Sequence, residues 1–269
     1  MGAKLKRKIS EITTPANNEI LARRTFISYA RQLKASDERI ADLWCIGLKR
    51  SQATLGATTQ RGIRSTILPL ARRYRDDRVF SMRWLNARFA TDTLFSDVKS
   101  FNQNTCAQVF SHKVGFNDTY PMESSTGDSL GYSYRDFIHD FGITEHLRFD
   151  GYSAQVGRNT LLIKTARKYD TQYHVSSPRR PNESPYEGSI REVKKRWYRI
   201  IITNKVSEKL WDYGLVWISE TRNLSVSSSH YASGRTPLEY ITRETPGISE
   251  YLDFKFYDWV TYRANEGLT

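Results

Sequence analysis

The stretch from Phe89 to Met122 constrains the fold more than any other part of the chain. It holds three β-rich runs, Phe89 to Lys99, Thr105 to His112 and Gly115 to Met122, with turn residues between them at Asn102–Asn104 and around Lys113–Gly115. Connections this short join neighbours running in opposite directions, so the segment predicts a three-stranded antiparallel meander. The texture then changes. Leu130 to Phe141 has helical periodicity and ends at Gly142, a natural C-cap. His146 to Asp150 is a short strand closed by Gly151. Asn159 to Tyr169 reads as a helix with Asn159 as N-cap, and Gln172 to Ser176 as another strand. A proline-rich loop, Ser177 to Pro185, precedes a long helix from Tyr186 to Thr203 and a further helix from its N-cap Ser207 to Asn223. On these helices Trp197, Ile200 and Ile201, and Trp211 with Leu215 and Ile218, are core positions.

The resulting order is β-β-β-α-β-α-β-α-α over residues 86–225. It predicts an α/β domain with a mixed five-stranded sheet flanked by helices, the succession expected of an RNase H-like fold. Before it, residues 1–18 read as a basic flexible tail and 19–80 as a basic helical region with a linker. Helices are predicted over 19–33 and 37–57, the second interrupted at Cys45-Ile46-Gly47. That interruption is either a helix-turn-helix-like element, with Lys49, Arg50 and Gln52 opening its second helix, or an ordinary helical hairpin. After the core, residues 226–269 form a C-terminal extension. Tyr251, Phe254, Phe256, Trp259 and Tyr262 alternate within Ile248 to Arg263, which predicts a docked hairpin or the start of a further module.

Charge is distributed unevenly. Residues 1–75 hold 16 Lys and Arg against 5 Asp and Glu, a surplus of 11 within a net charge of +12. A basic segment of this kind is the footprint of a phosphate-binding surface or, more plainly, a soluble arm. Arg72, Arg73 and Arg75 beside Tyr74 combine charge with a stacking surface, or are a solvated linker. No apolar run approaches the length of a membrane span, and the two cysteines, Cys45 and Cys106, are too few and too far apart for a disulfide framework or a four-ligand zinc site. His139, His146 and His174 read as structural. An intracellular setting is the expectation.

Three acids stand out by position. Asp92 lies in the first strand, Asp150 ends the fourth, and Glu187 opens the long helix after Pro185 and Tyr186. In an RNase H-like sheet the first and fourth strands are neighbours, so the two aspartates come side by side and the helix start brings the glutamate over them. Cutting a phosphodiester requires charge neutralisation on both the attacking and the leaving oxygen, which two divalent cations about 3.5–4 Å apart provide. Carboxylate oxygens suit Mg²⁺ or Mn²⁺. Asp92 is the expected bridging ligand, with Asp150 on one ion and Glu187 on the other. Spacing alone does not single out this trio among 29 acidic residues. Surface or capping carboxylates are the plain alternative, and an acid at a helix start is favoured there in any case.

The surrounding residues carry a resemblance. Thr91-Asp-Thr-Leu-Phe95 with Val98-Lys-Ser100 and Asn104-Thr-Cys-Ala-Gln-Val-Phe110 resembles the first two strands of integrases from copia-like retrotransposons of diatoms and related algae. Phe149-Asp-Gly151 with Gln155, Pro178-Arg-Arg-Pro-Asn182, Ser184-Pro-Tyr-Glu-Gly188 and Ile190-Arg-Glu-Val-Lys-Lys-Arg-Trp197 resemble the second and third catalytic motifs. Leu210-Trp-Asp-Tyr-Gly214, Thr245-Pro246, Ile248 to Phe254 and Tyr257-Asp-Trp259 are similar to the region after the core, and Ile46-Gly47 with Thr58 to Gly62 to the region before it. The likeness spans roughly residues 40–268 and places the chain with the retroviral integrase superfamily.

The resemblance implies that Asp92, Asp150 and Glu187 are catalytic and hold two Mg²⁺ or Mn²⁺ ions, with Glu187 rather than the flanking Glu183 or Glu192 as the third ligand. It implies a polynucleotidyl transferase that cuts element DNA and joins it to target DNA by in-line attack at phosphorus. The partners would be DNA and further copies of the chain, with no membrane and no small-molecule cofactor, in the nucleus or a retroelement particle. Glu187, Arg191, Lys194 and Lys195 share one face of the long helix, which with Asn182, Lys49 and Arg50 would follow a DNA backbone. Tyr186 departs from the family, which usually has Ala there, and the chain has no His-His-Cys-Cys zinc domain. A decayed nucleic-acid-binding remnant and an RNase H-like nuclease are the competing readings.

Overall fold

A computed structural model describes residues 35–60, 83–149, 160–176, 187–227 and 232–258. Its centre is a five-stranded sheet built from β1 (Trp84–Phe95), β2 (Cys106–Ser111), β3 (Asn117–Met122), β4 (Ile143–Phe149) and β5 (Gln172–Val175), in the order β3-β2-β1-β4-β5. β1, β2 and β3 are antiparallel, whereas β4 and β5 run parallel to β1. The meander and the neighbouring first and fourth strands both match the sequence-based expectation.

β1 begins five residues before the expected Phe89, because Trp84 and Leu85 already pair with Ile143 and Thr144. It ends at Phe95 rather than Lys99. There the Ser96 hydroxyl donates to the Val98 carbonyl at 2.9 Å and turns the chain out of the ladder.

Alternation along the central strands divides the core in two. Leu85 and Phe89 of β1, Phe110 of β2 and Leu147 and Phe149 of β4 face α3 (Gly127–Asp140) and α4 (Leu161–Lys168). On the other face, Leu94 of β1 and Ala107 and Val109 of β2 pack against Val193 and Ile200 of α5 (Glu187–Asn204) and Trp211, Leu215 and Ile218 of α6 (Trp211–Leu224). Ser207 caps a 3₁₀ turn, Glu208–Leu210, that leads into α6. The cap of α4 is Thr160, one residue beyond the expected Asn159, which lies outside the described residues. Gly142 follows α3 with φ +128°, and a Cβ there would overlap the backbone of Arg83.

Two short helices, α1 (Asp37–Leu43) and α2 (Leu48–Ala57), flank the predicted break, where Cys45 takes φ +51°. They are not detached from the core. Ile40, Leu43 and Trp44 pack with Leu224 of α6 and with Ile248 and Leu252 of the C-terminal segment. The Trp44 indole donates to the Tyr251 carbonyl at 2.9 Å, and Arg39 donates through Nε and Nη2 to the Leu252 carbonyl at 3.1 and 3.0 Å.

In the C-terminal extension, expected as a docked hairpin or the start of a further module, the described residues form α7 (Pro237–Thr242), one backbone bridge between Gly247 and Thr59, and a 3₁₀ turn at Ser249–Tyr251. Donors of α1 take up the Tyr251 and Leu252 carbonyls, and Phe256 packs across Trp197 and Trp217. The tail 1–18, the predicted helix 19–33, the linker arginines 61–78, Asn182 and residues 259–269 lie outside the described residues. No helix of the described residues is long and apolar enough to cross a membrane.

Candidate active site

Asp92 sits near the C-terminal end of β1, the middle strand of the sheet. Its neighbours fix which way it faces. Thr91 and Thr93 both engage the buried amide of Gln108 on β2: Gln108 Nε2 donates to Thr91 Oγ1, and Thr93 Oγ1 donates to Gln108 Oε1 at 2.8 Å. With both threonines held on that side, Asp92 stands on the opposite one, which it shares with Leu94 and hence with α5. Its carboxylate is exposed, and Oδ1 accepts the Thr93 N–H at 2.8 Å.

β4 runs alongside in parallel, and its last described residue, Phe149, pairs with Thr91. Asp150 follows Phe149 in the sequence and lies outside the described residues. β5 fixes this strand end: Ser176 N–H donates to the Phe149 carbonyl at 2.9 Å, and Arg148 Nε to the Ser176 hydroxyl at 2.8 Å. Glu187 is the first residue of α5, one turn ahead of Ile190, and its side chain is outside what is described. Among the described residues no group of three or more His, Cys, Asp or Glu is placed to hold a metal. That set contains only Asp92 of the sequence-derived trio.

The basic residues expected to meet nucleic acid divide by exposure. Arg191, Lys194 and Lys195 are exposed on α5, with Lys195 Nζ 3.3 Å from Glu192 Oε1. Lys49 is exposed in the first turn of α2 and Arg50 is half-buried beside it. Gln52, also exposed, donates to Asp37 Oδ2 at 2.8 Å across the hairpin.

Sequence reasoning missed a basic residue in this neighbourhood. Arg196 of α5 is 9% exposed and donates through Nε and Nη2 to the Trp44 carbonyl at 3.2 and 2.6 Å. Burial, together with the charge of Arg50, pushes its pKa down to about 9. In the run Lys194-Lys195-Arg196 it looks like one more solvated cation. Its phase is the one available signal, since it stands three residues after Val193 and four before Ile200, both buried.

A mixed sheet of order 3-2-1-4-5, with helices on both faces and an acid near the end of its central strand, defines an RNase H-like α/β domain. More particularly, a similar fold occurs in a solved retroviral intasome. No protein-family model and no curated protein matches the chain, but 262 chains of solved structures do. One is in the simian T-cell lymphotropic virus intasome in complex with the PP2A regulatory subunit B56 gamma, with TM-score 0.50 and 13% identity, covering 70% of this chain and 63% of that one. The catalytic core domain of BIV integrase gives TM-score 0.45 at 13% identity, covering 61% of this chain and 95% of that one. The HTLV-2 integrase catalytic core domain in complex with magnesium, in a trimeric form, gives 0.46 at 13%, covering 60% and 99%.

Proposed function

We propose that residues 86–225 form a metal-dependent polynucleotidyl transferase that cuts and joins DNA, with Asp92, Asp150 and Glu187 as its carboxylates. The observation that carries this reading is the register of β1 and β4. Thr91 pairs with Phe149, and in the sequence each is followed by an aspartate. Phe149 lies on the α3/α4 side of the sheet and Asp92 on the side covered by α5, the helix that Glu187 opens.

The donor set suits a hard divalent cation, being made only of carboxylate oxygens, and Asp92 is exposed to solvent with one oxygen oriented by a backbone N–H. Asp92, Asp150 and Glu187 would hold Mg²⁺ or Mn²⁺. When bound, such ions neutralise the attacking and leaving oxygens of an in-line displacement. The Thr91–Gln108–Thr93 clamp orients Asp92 before substrate arrives, and the Ser176 contacts tie down the strand end at Phe149. A water, or later a DNA 3′-hydroxyl, attacks phosphorus, and the displaced 3′-oxygen leaves with the electron pair of the broken P–O bond. Arg191, Lys194 and Lys195 on α5 and Lys49 and Arg50 on α2 supply phosphate contacts. The finer reading is an integrase of a copia-like retrotransposon. It would act as a multimer on element ends and target DNA, in the nucleus or a retroelement particle.

A strand-transfer assay with a donor oligonucleotide and Mg²⁺ or Mn²⁺ tests the proposal. The wild-type chain should form joined product, while Asp92→Asn and Asp150→Asn should each abolish it and leave DNA binding intact. Salt-sensitive binding without joining by the wild type would identify a decayed remnant. Cleavage of the RNA in a hybrid without joining would identify a nuclease. Normal joining by either variant would overturn the site.

A further inference from the structure

α5 and α6 cover only part of their side of the sheet. The cluster beneath them takes its strand residues from β1 and β2, and none from β4 or β5. What β4 and β5 display on that side follows from alternation. Leu147 and Phe149 of β4 and Val175 of β5 belong to the α3/α4 side, where Arg167 of α4 also donates to the Tyr173 hydroxyl at 3.3 Å. His146 and Arg148 on β4, and Gln172 and His174 on β5, therefore face the other way. Ala87 and Phe89 of β1 pack on the α3/α4 side too, which turns Arg88 to the side of Asp92.

Strand register sets these residues in rows. Arg88 lies opposite His146, and His146 opposite Gln172. Two residues nearer to Asp92, Ala90 lies opposite Arg148 and Arg148 opposite His174. Neighbouring strands are about 4.8 Å apart, so each row brings its side chains together. Arg88, Gln172 and His174 are exposed, and His146 and Arg148 are half-buried. Among the described positions of β1, β4 and β5 turned this way, Asp92 is the one carboxylate. Glu145 Oε1 lies 3.5 Å from His146 Nε2, and Arg148 is held by the Ser176 hydroxyl. Arg88 and His174 make no hydrogen bond and no ion pair among the described residues. A flat, open surface with two guanidinium groups and two imidazoles, and a carboxylate only at its end, is complementary to an anionic polymer. Guanidinium and imidazole N–H groups are suited to phosphate oxygens.

We propose that this shelf, formed by Arg88, His146, Arg148 and His174, carries the phosphate backbone of DNA as it leaves the carboxylate site. The choice of DNA as the polymer rests on the function proposed above. The shelf is a track across β4 and β5, distinct from the cations of α5 and α2. β1 rises about 13 Å between Asp92 and Arg88, at ~3.3 Å per residue. A nucleic-acid strand advances about 3.4 Å per nucleotide, so Arg88 meets a phosphate about four steps from the one that reacts at Asp92.

The test measures the salt dependence of duplex DNA binding by the full chain. The wild type is compared with Arg88→Gln, His174→Gln and Lys164→Gln, whose exposed charge lies on α4 across the sheet. Arg88→Gln should lower the slope of log K against log salt by about 1, and Lys164→Gln should leave it unchanged. His174→Gln should weaken binding. Wild-type slope and affinity in both shelf variants would overturn the shelf, and is the result expected if its partner is an acidic protein. Arg88→Lys keeps the charge and should keep the slope. An equal loss in Arg88→Lys and Arg88→Gln would mark a structural role and would also overturn it.

A single uncharged methylphosphonate, moved along one strand, locates the contact. At about four steps from the reacting phosphate it should weaken binding by the wild type and not by Arg88→Gln. The same loss in both proteins at every position would overturn the track. Asp92→Asn should bind with the wild-type slope, so failure of the catalytic reading and failure of the shelf remain distinguishable.

Discussion

Asn104, in the turn between β1 and β2, donates through Nδ2 to Asp212 Oδ2 at 3.0 Å, across 108 residues of sequence. Asn102 Nδ2 reaches the same oxygen at 3.0 Å, and the Tyr213 N–H donates to Oδ1 at 2.9 Å. Trp211, next to Asp212, donates its indole N–H to the Val98 carbonyl at 2.8 Å. The start of α6 is thus fastened to the turn that leaves β1. Asp212 is 1% exposed, so removing its carboxylate leaves two amides and a backbone N–H to find other partners. Asp212→Ala should destabilise the fold by roughly 2–4 kcal/mol, and Asn104→Ala by about 1 kcal/mol, in urea unfolding. Equal effects of the two substitutions would show that Asp212 is not the hub of this contact.

Much of this architecture is legible in the sequence, for identifiable reasons. The meander is readable because turn residues punctuate it at short intervals, and α5 because its apolar stripe Ile190, Val193, Trp197, Ile200 keeps one phase. The place of Asp92 in the first strand is readable because it stands inside the β-rich run that begins at Phe89. The docking of α1 and α2 is not readable, since Trp44 and Arg39 find their acceptors more than 200 residues away.

Two buried ionisable groups give stability an unusual pH dependence. Burial pushes Asp118 on β3 up to about 7 from 3.8, with Asp140 and Glu220 adding like charge against the lowering effect of Tyr120 and the Thr119 N–H. The native state then holds a proton that the unfolded chain releases, so this group lowers stability as pH rises from about 4 to about 7. His112 is pushed down to about 4 from 6.5, chiefly by burial and then by Lys113. Here the unfolded chain takes the proton, so stability falls as pH drops from about 6.5 to about 4. The two slopes oppose each other over that shared range. Relative to the wild type, Asp118→Asn should gain stability as pH rises through it, and His112→Gln should gain stability as pH falls through it. Denaturant midpoints at half-unit pH intervals check this, and parallel curves for wild type and variants would refute it.

Gly214 lies on α6 where the helix crosses α5. A Cβ at this position would overlap the six-membered ring of Trp197, whose other neighbour is Phe256. The glycine therefore sets the approach of the two helices that cover the α5 side of the sheet. Gly214→Ala should cost about 1–3 kcal/mol despite alanine's better helix propensity. Adding Trp197→Leu to the same chain should recover part of that loss. A stabilised Gly214→Ala in thermal unfolding would mean that the helices have room to separate.

Trp44 joins both ends of the described chain to the core. It is fully buried, its indole holds the Tyr251 carbonyl, and its own carbonyl receives Arg196. Trp44→Ala should cost roughly 3–5 kcal/mol, as expected for a large aromatic side chain removed from a packed site. The location of the loss is the sharper expectation. Because Ile40, Leu43, Ile248 and Leu252 share one cluster, hydrogen exchange should accelerate together over residues 37–57 and 246–256, while β1, β2 and β4 keep their protection. Trp44→Phe, which keeps most of the ring but not the donor, should loosen the Tyr251 turn with a smaller loss of stability. Faster exchange confined to residues 37–57 would show that the C-terminal segment stands without them.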